Sequence, residues 1–231
     1  MKDNKKVLVV IPARGGSKRI PNKNIRDFMG KPLLAHTIQQ AKACDFVERI
    51  VVDTDSEDIA KIAITFGAEV PFLRFPELAT DDSKVIDSII CLLGRLNEKE
   101  NYTPDYLLLL QPTSPLREVE DIERCWQLIT ESRANSVFTI CETRPKPKDL
   151  LWVENDEVDT TSILSRLYDA KLYGTNGFVF LIKVTDLLQE KAFITGKVQL
   201  VMCPEWRSID IDVEEEWKLA EILYDNKEKL Y

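Results

Sequence analysis

The protein has 231 residues, a length that favours a single domain carrying an embellishment. Apolar residues make up 44% of the chain, which is enough to build a core without disulfides or a structural metal. The formal net charge of −8 argues against general binding to nucleic acids or anionic membranes, because both need a basic surface. Small anionic substrates are not excluded, since they respond to the local field.

Cysteine usage and the N-terminus bear on the cellular compartment. The five cysteines are scattered without a CxxC or Cys/His pairing, and the single histidine, His36, lies in a predicted helix with a structural role. This pattern predicts reduced structural thiols in a cytoplasmic protein. The apolar run at residues 7–11 is too short for a signal peptide or a membrane span.

Strands and helices alternate through the first half of the chain. The β-branched and leucine run at 7–11 is typical of a buried central strand, and a loop rich in Gly, Pro, Asn and Lys follows it. The next predicted elements are a helix at 32–41, a strand at 49–52, a helix at 57–66, a short strand at 70–73, a helix at 81–96, a strand at 106–110, a helix at 119–130 and a strand at 136–140. This alternation predicts an α/β fold with a mainly parallel sheet covered on both faces.

The pattern breaks in the segment 142–175, where prolines, charges and isolated hydrophobic residues follow without a period. We interpret this segment as an insertion for oligomerisation or for covering the substrate. Strands at 178–182 and 198–202 and a helix at 214–223 are predicted after it. Because no linker separates these parts, residues 1–231 are expected to form one domain.

The loop after the first strand carries the strongest chemical signal. It reads PARGGSKRIPNKN over residues 12–24, at the end of a strand where ligands of parallel α/β sheets bind. Gly15 and Gly16 would let the backbone approach a phosphate and turn its N–H groups toward it. The basic residues crowded here suit a triphosphate, although a solvated basic loop is the alternative: Arg14, Lys18, Arg19, Lys23, Arg26 and Lys31. Neither a dinucleotide fingerprint nor a P-loop is present.

Two Asp-x-Asp pairs could bind a hard cation. Asp210 and Asp212 lie on a predicted extended segment, where a side-chain period of two puts both carboxylates on one side. This arrangement suits Mg²⁺, which usually takes one or two carboxylates plus substrate phosphates. Asp53 and Asp55 have the same spacing but could equally cap the following helix.

Two further segments follow or precede strands. Gln111 begins the segment QPTSPLR after the buried YLLLL strand, and its polar groups could contact a nucleotide or sugar. Alone this signal is weak, because turns commonly contain Pro, Ser and Thr. Asn176-Gly177 lies just before a predicted strand and could be a plain turn.

Taken together, these motifs resemble the acylneuraminate cytidylyltransferase family, the CMP-sialic acid synthetases. The family's stretches appear in order as IPARGGSKRIPNKN, FLRFPELATD, LLQPTSPLR, an Asn-Gly before a strand, and SIDID. The resemblance covers residues 7–223. It implies a Rossmann-like, three-layer nucleotidyltransferase fold of the GT-A kind, a homodimer, and CTP and a nine-carbon keto-sugar acid as substrates.

The resemblance also implies roles for individual residues. Asp210 and Asp212 match the metal-binding pair for Mg²⁺ or Mn²⁺, and Arg14, Lys23 and Asp212 are the implied catalytic residues. The implied nucleotide-binding residues are Ala13, Arg14, Gly15, Gly16, Ser17, Lys18, Lys23, Asn24, Arg74 and Ser83. The implied sugar-binding residues are Gln111, Thr113 and Asn176.

One stretch departs from the family pattern. Sialic acid enzymes carry a basic residue and a proline before the Asn-Gly and additional arginines upstream, whereas this chain has Tyr173-Gly-Thr175 there. Arg166 and Lys171 are the nearest basic residues. The identity of the sugar acid therefore stays open.

With the substrates that the resemblance implies, the hypothesis is an in-line displacement in which the anomeric hydroxyl attacks the α-phosphorus of CTP and pyrophosphate leaves. Positioning and electrostatics would supply most of the catalysis. A sister enzyme using another nucleotide, such as GTP, and a sugar 1-phosphate is the alternative, and a non-catalytic nucleotide-binding regulator is a more remote one. A dinucleotide-dependent oxidoreductase is disfavoured because its glycine fingerprint is missing.

Overall fold

The computed structural model of the protein describes residues 5–143 and 171–230, together with the backbone of residues 152–154 and 157–159. Its strands are β1 (Val7–Pro12), β2 (Asp27–Phe28), β3 (Lys31–Pro32), β4 (Arg49–Asp53), β5 (Tyr106–Leu109), β6 (Ser136–Glu142), β7 (Trp152–Glu154), β8 (Glu157–Asp159), β9 (Tyr173–Lys183) and β10 (Val198–Met202). Its helices are α1 (Leu33–Lys42), α2 (Glu57–Thr65), α3 (Val85–Glu100), α4 (Val119–Ser132), α5 (Val184–Glu190) and α6 (Glu214–Asn226).

Six strands form the central sheet in the order β10-β6-β9-β5-β1-β4. β1 pairs in parallel with β4 and β5, and β10 pairs in parallel with β6. β9 is antiparallel to both of its neighbours, β5 and β6. The predicted mainly parallel α/β sheet is confirmed, with β9 as an antiparallel strand that the sequence pattern did not reveal.

The two faces of the sheet are covered by different helices. On one face Val7, Val9 and Ile11 of β1 pack with buried residues of α1, α2 and α4. On the other face Leu8 and Val10 pack with α3 and α5. Alternate residues of one strand therefore enter two separate cores, which explains why β1 is apolar throughout. This is the expected three-layer arrangement.

A third apolar cluster fixes the basic loop. Ile20 of the loop, Phe28 of β2 and Leu33 at the start of α1 pack against Trp217 of α6 and against Ile211, all with at most 1% exposure. Arg26 also stacks its guanidinium 4.3 Å from the centre of the Trp217 ring. These contacts hold the loop against the segment that carries the Asp-x-Asp pair.

Several predicted boundaries were wrong. Residues 70–73 form no strand, and the nearby ladder is a single bridge between Glu69 and Val51. α3 begins at Val85 rather than at residue 81, because residues 80–83 form a turn in which the Ser83 hydroxyl accepts from the Thr80 amide at 3.2 Å. α2 is capped by Ser56, whose hydroxyl accepts from the amide of Ile59, so neither Asp53 nor Asp55 caps it.

The predicted insertion at 142–175 lies largely outside the described residues. Within it, β7 and β8 form an antiparallel pair. At its edges, β6 extends to Glu142 and β9 starts at Tyr173, so the sheet continues further into this segment than the sequence predicted. A single domain over residues 1–231 stays a prediction. Within the described ranges, no helix combines the length and apolar character that crossing a membrane requires.

The remaining structural predictions concern His36 and the cysteines. His36 is buried at 3% exposure, and its Nε2 lies 2.8 Å from the carbonyl oxygen of Phe28, which confirms its structural role. All five cysteines are free thiols, and Cys44, Cys125 and Cys203 are buried. Burial raises the pKa of Cys44 and of Cys203 to about 12, so these thiols stay protonated at neutral pH.

Candidate active site

A cavity of about 250 Å³ opens where β1 and β5 end. This is the edge at which ligands bind in parallel α/β sheets. The predicted site residues that line it are Arg14, Ser17, Lys23, Asn24, Arg74, Gln111, Thr113, Asp210 and Asp212. Motifs that are up to about 200 positions apart in the sequence therefore meet at one concave site.

Asp210 and Asp212 both line the cavity, and Ile211 between them is fully buried. The amide of Ile211 donates to the carbonyl of Thr113 at 2.8 Å, which ties this segment to the end of β5. The Glu216 carboxylate accepts from the amide of Asp212 at 2.7 Å. Because Asp210 and Asp212 line the same cavity while Ile211 is buried, the two carboxylates lie on one side of this segment, as predicted.

The environment shifts the pKa values of the two carboxyls in opposite directions. Desolvation at the cavity wall and the neighbouring charge of Asp212 raise the pKa of Asp210, although this residue keeps access to solvent. Partial burial of Asp212 opposes its ionisation, but hydrogen bonds and charges from Lys23 and Arg19 outweigh that effect and lower its pKa.

Cations of the basic loop are paired with acids around the cavity. Lys23 contacts Asp212 at 3.0 Å and the carbonyl of Ile211 at 2.7 Å, and Arg19 contacts Asp212 at 3.0 Å. Arg14 and Lys18 both pair with Asp81 from the turn before α3, Arg14 at 2.8 Å. Hydrogen bonds from Lys18 and Arg14 lower the pKa of Asp81. This density of positive charge contrasts with the acidic balance of the whole chain.

In the predicted glycine pair, the amide of Gly15 has a partner within the protein. The amide of Gly15 donates to the Asp55 carboxylate at 2.8 Å, so that N–H is already engaged. A Cβ atom on Gly15 would lie 3.0 Å from the Cβ of Ser56, so close packing against the start of α2 favours glycine here. A Cβ atom added at Gly16 would meet no atom within 4 Å, and Ala13 is buried with its amide bonded to the Asp53 carbonyl at 2.9 Å.

Two buried polar atoms beside the cavity lack partners. Asn24 is 5% exposed and donates to the carbonyl of Arg14 at 3.1 Å, while its Oδ1 atom has no hydrogen bond. Arg74 is 9% exposed and bonds Asp53 through Nη2, while its Nε atom has no acceptor. Buried polar groups are normally satisfied. Two residues of the cavity wall therefore each carry one buried polar group without a partner, an acceptor on Asn24 and a donor on Arg74.

The predicted nucleotide-binding Ser83 lies outside the residues that line the cavity. Its hydroxyl donates to the carbonyl of Glu77 at 2.9 Å and stabilises the turn before α3. Val85, two residues further on, reaches the cavity wall. Ser83 therefore shapes the rim of the site through its backbone turn.

Asn176 also does not line the cavity. It is 4% exposed, its Oδ1 accepts from the Thr139 hydroxyl at 2.6 Å, and its Nδ2 donates to the Ser208 hydroxyl at 3.0 Å. Asn176-Gly177 is not a turn before a strand but part of a bulge inside β9, where the register with β6 shifts. The side-chain amide thus joins β9 to the segment that leads to Asp210.

Sequence reasoning missed the supporting role of Arg117. This residue is fully buried, and burial lowers its pKa to about 9. Its guanidinium donates to the backbone carbonyl of Gln111 at 2.9 Å and of Phe178 at 2.8 Å, and to the Thr37 hydroxyl at 2.8 Å. The sequence signal that could have indicated this role is an arginine just beyond a buried strand. Arg117 fixes the backbone that carries Gln111.

Comparisons with known proteins agree with this site. The cytidylyltransferase family profile matches residues 8–160. The chain is 37% identical to CMP-N,N'-diacetyllegionaminic acid synthase of Legionella pneumophila, over 97% of this chain and 99% of that protein. It is 30% identical to pseudaminic acid cytidylyltransferase of Campylobacter jejuni, over 95% of this chain and 96% of that protein. It is 31% identical to N-acylneuraminate cytidylyltransferase of Escherichia coli, over 97% of this chain but 53% of that longer protein.

Solved structures support the fold. CMP:2-keto-3-deoxy-manno-octonic acid synthetase, solved with CTP, superposes with a TM-score of 0.71 at 16% identity, over 96% of this chain and 99% of that one. A 4-diphosphocytidyl-2C-methyl-D-erythritol synthase also gives 0.71 at 14% identity, over 96% of this chain and all of that one. With the sequence matches covering nearly the whole chain, the protein belongs to the nonulosonic acid cytidylyltransferase family and is a nucleotidyltransferase.

Proposed function

We propose that this enzyme transfers CMP from CTP to a nonulosonic acid and releases pyrophosphate, which activates the sugar for glycan synthesis. The observation that carries the proposal is the single cavity that unites the basic loop, the Asp210/Asp212 pair and Gln111. The similarity to synthases of CMP-linked legionaminic, pseudaminic and neuraminic acids supports this class of acceptor.

The reaction we propose is an in-line displacement. The anomeric hydroxyl of the sugar acid attacks the α-phosphorus of CTP, a new oxygen–phosphorus bond forms, and the bond to pyrophosphate breaks while the hydroxyl proton leaves to solvent. Arg14 and Lys23 stabilise the charge that builds on the leaving pyrophosphate. Asn24 and Arg74 orient the nucleoside, and Gln111 and Thr113 orient the sugar acid, so much of the rate gain is positioning.

The residues present fit a hard divalent cation, Mg²⁺ or Mn²⁺. Asp210 and Asp212 offer carboxylate oxygens on one side of the segment, and Asp212 is kept ionised by its basic neighbours. No cluster of three or more His, Cys, Asp or Glu side chains suited to a metal occurs among the described residues, so phosphate oxygens and water would complete the coordination. When bound, the cation would neutralise phosphate charge and polarise the reacting group.

The test is pyrophosphate release with Mg²⁺ across CTP, GTP, ATP and UTP. Each nucleotide is combined with N,N'-diacetyllegionaminic, pseudaminic and N-acetylneuraminic acids and with sugar 1-phosphates. We expect release with CTP and one or more of the acids, and loss of release with a chelator. Release only with GTP and a sugar 1-phosphate would contradict the proposal and favour the sister activity.

Replacing Asp212 with alanine tests the metal assignment. We expect turnover to fall by at least about 100-fold, because the variant loses a carboxylate that neutralises phosphate charge through the cation. Asp82→Ala, in an exposed turn, is the matched control and should keep normal turnover. Near-normal turnover of Asp212→Ala would show that the metal assignment is wrong.

We further propose a cytoplasmic homodimer. The five free cysteines support a reducing compartment. The segment 142–175 and the exposed Leu200 and Met202 on the edge strand β10 support an interface with a second copy. Size-exclusion chromatography with light scattering should give a dimer near twice the 26.5 kDa chain mass; a monomer at micromolar concentration would contradict the assembly.

A further inference from the structure

The segment from Phe72 to Phe75 carries Arg74 to the wall of the cavity without support from the sheet. It lies between an isolated bridge at Glu69 and a short turn beginning at Pro76. Its backbone is tied to the fold through the amide of Arg74, which donates to the carbonyl of Thr54 at 2.7 Å. A segment with so few backbone partners depends on its side chains for a fixed shape.

Arg95 of α3 supplies that side-chain support. Its guanidinium carbon lies 4.3 Å from the centre of the Phe72 ring and 4.6 Å from the centre of the Phe75 ring. Its Nη1 donates to the carbonyl of Leu73 at 2.8 Å. One side chain therefore makes two cation–π contacts and a backbone hydrogen bond on the residues that flank Arg74.

Arg74 lies between these contacts and belongs to the active site. It lines the large cavity and also a small recess of about 10 Å³ that it shares with Arg95 and Asp53. Its Nη2 contacts the Asp53 carboxylate at 2.8 Å and the Asp53 carbonyl at 2.8 Å. Asp53 thus holds one end of the guanidinium. The position of the Nε atom, which has no hydrogen-bond partner, is set by the backbone of the segment that carries Arg74.

We infer that Arg95 is a positioning residue for the nucleotide: it holds Phe72 and Phe75 from the α3 side so that Arg74 keeps its place in the cavity. This inference rests on the proposed role of Arg74 toward the nucleoside of CTP. Arg95 lines the recess but not the cavity that holds the Asp210/Asp212 pair, so it acts through Arg74 and not on the substrate directly.

The test separates a positioning role from a general structural one. We expect Arg95→Met to raise the KM for CTP about fivefold to tenfold, while kcat and the KM for the acid change less than about twofold, because nucleotide binding is weakened equally in the ground and transition states. Arg95→Lys keeps a cation over the rings and should give an intermediate KM. Lys99→Met, on the same helix and exposed, is the matched control and should leave all three constants unchanged.

A double-mutant cycle tests the route through Arg74. In an Arg74→Lys background, adding Arg95→Met should change the KM for CTP less than about twofold, because the group that Arg95 positions is already altered. The inference would be overturned if the KM changes of the two single variants multiply in the double variant. It would also be overturned if kcat falls in proportion to the melting temperature, or if Arg95→Met has the same constants as Lys99→Met.

The proposed function is judged separately, on the wild-type enzyme. If the wild type binds CTP but releases no pyrophosphate, the double-mutant cycle is measured with CTP dissociation constants and tests the inference in the same way. If wild type binds no nucleotide, both proposals are wrong.

Discussion

The carboxylate of Asp81 forms ion pairs with Arg14 and Lys18, two of the basic residues that we assign to triphosphate binding. Its carboxylate contacts Arg14 at 2.8 Å and also pairs with Lys18, and it lies in the exposed turn before α3. An anionic ligand that binds these cations has to compete with this carboxylate. The pair is exposed to solvent, so we expect a modest and salt-sensitive effect.

Asp81→Asn should therefore tighten the binding of CTP by about twofold to fivefold at low ionic strength, with a smaller gain at high salt. Calorimetric titration with CTP measures the affinity. Asp82→Asn removes the same charge from the neighbouring exposed position and is the control, so it reports the effect of net charge alone. Equal gains in the two variants would contradict a specific competition at Asp81.

His36 makes stability depend on pH. Burial, partly offset by the hydrogen bond to the Phe28 carbonyl, lowers the pKa of His36 to about 4, with smaller effects from Lys31, Asp27 and Lys227. The unfolded chain keeps a histidine pKa near about 6.5, so between these values the unfolded state binds more protons. The free energy of unfolding is therefore expected to fall as pH drops from about 6.5 to 4.

The measurement is urea unfolding of the wild type and of His36→Gln at intervals from pH 7 to 4. The wild type should lose between about 1 and 3 kcal/mol more than the variant over this range, because only in the wild type does unfolding expose an imidazole that then takes up a proton. Carboxyl groups titrate in both proteins, so the difference between the two curves isolates the histidine. Parallel curves would show that His36 is not held neutral by the fold.

At the level of elements, the bulge in β9 explains why glycine follows Asn176. Gly177 has φ of +72°, and a Cβ there would lie 2.6 Å from the Oε1 of Gln111. Gly177→Ala should cost about 1–2 kcal/mol of stability through its left-handed backbone and should raise the KM for the sugar acid by displacing Gln111.

Gly94→Ala is the matched control for this glycine. Gly94 is exposed in α3, and an added Cβ would meet no atom within 4 Å. A helical glycine replaced by alanine should stabilise the protein by about 0.5–1 kcal/mol and leave the kinetic constants unchanged. An unchanged KM for the sugar acid in Gly177→Ala would show that Gly177 does not determine the position of Gln111.

The elements that sequence reasoning predicted well are those whose hydrophobic pattern has one interpretation. β1 and β5 are short apolar runs that end in polar loops, and α1 begins just after Pro32. The direction of β9 could not be predicted, because a strand buried on both faces has the same composition whether it runs parallel or antiparallel. The helix N-cap composition at Asp81, Asp82 and Ser83 predicted an earlier start of α3. The hydroxyl of Ser83 instead closes a turn, so α3 begins at Val85.

At the level of the whole molecule, the site followed from the rule that ligands bind beyond the carboxyl ends of parallel strands. That rule joins the basic loop with Gln111 on the sequence alone. It could not show that Asn176 faces Thr139 and Ser208 rather than the cavity, or that Asp55 takes the amide of Gly15. Such pairings depend on side-chain contacts across distant segments, which a single sequence does not encode in its local pattern.

The C-terminal part of the chain is joined to the sheet layers by a buried ion pair. Arg207, 5% exposed, contacts the carboxylate of Asp121, 1% exposed, with Nη2 at 2.8 Å from Oδ1 and a second contact through Nη1. Asp121 lies in the first turn of α4 and also accepts from the amide of Glu118 at 3.0 Å. The pair fixes the segment that leads to Asp210 and Asp212 against α4.

Removing one partner leaves an uncompensated buried charge, so Arg207→Met should lower the free energy of unfolding by about 3–5 kcal/mol. The exposed pair between Lys61 and Asp58, with side chains 70% and 76% exposed, provides the control, and Lys61→Met should cost no more than about 0.5 kcal/mol. Urea unfolding measures both. Adding Asp121→Leu to Arg207→Met should recover part of the lost stability, because the orphaned carboxylate is removed. If Arg207→Met costs no more than Lys61→Met, the ion pair does not hold the C-terminal segment in place, and the position of Asp210 and Asp212 must depend on the contacts of Ile211 and Glu216 instead.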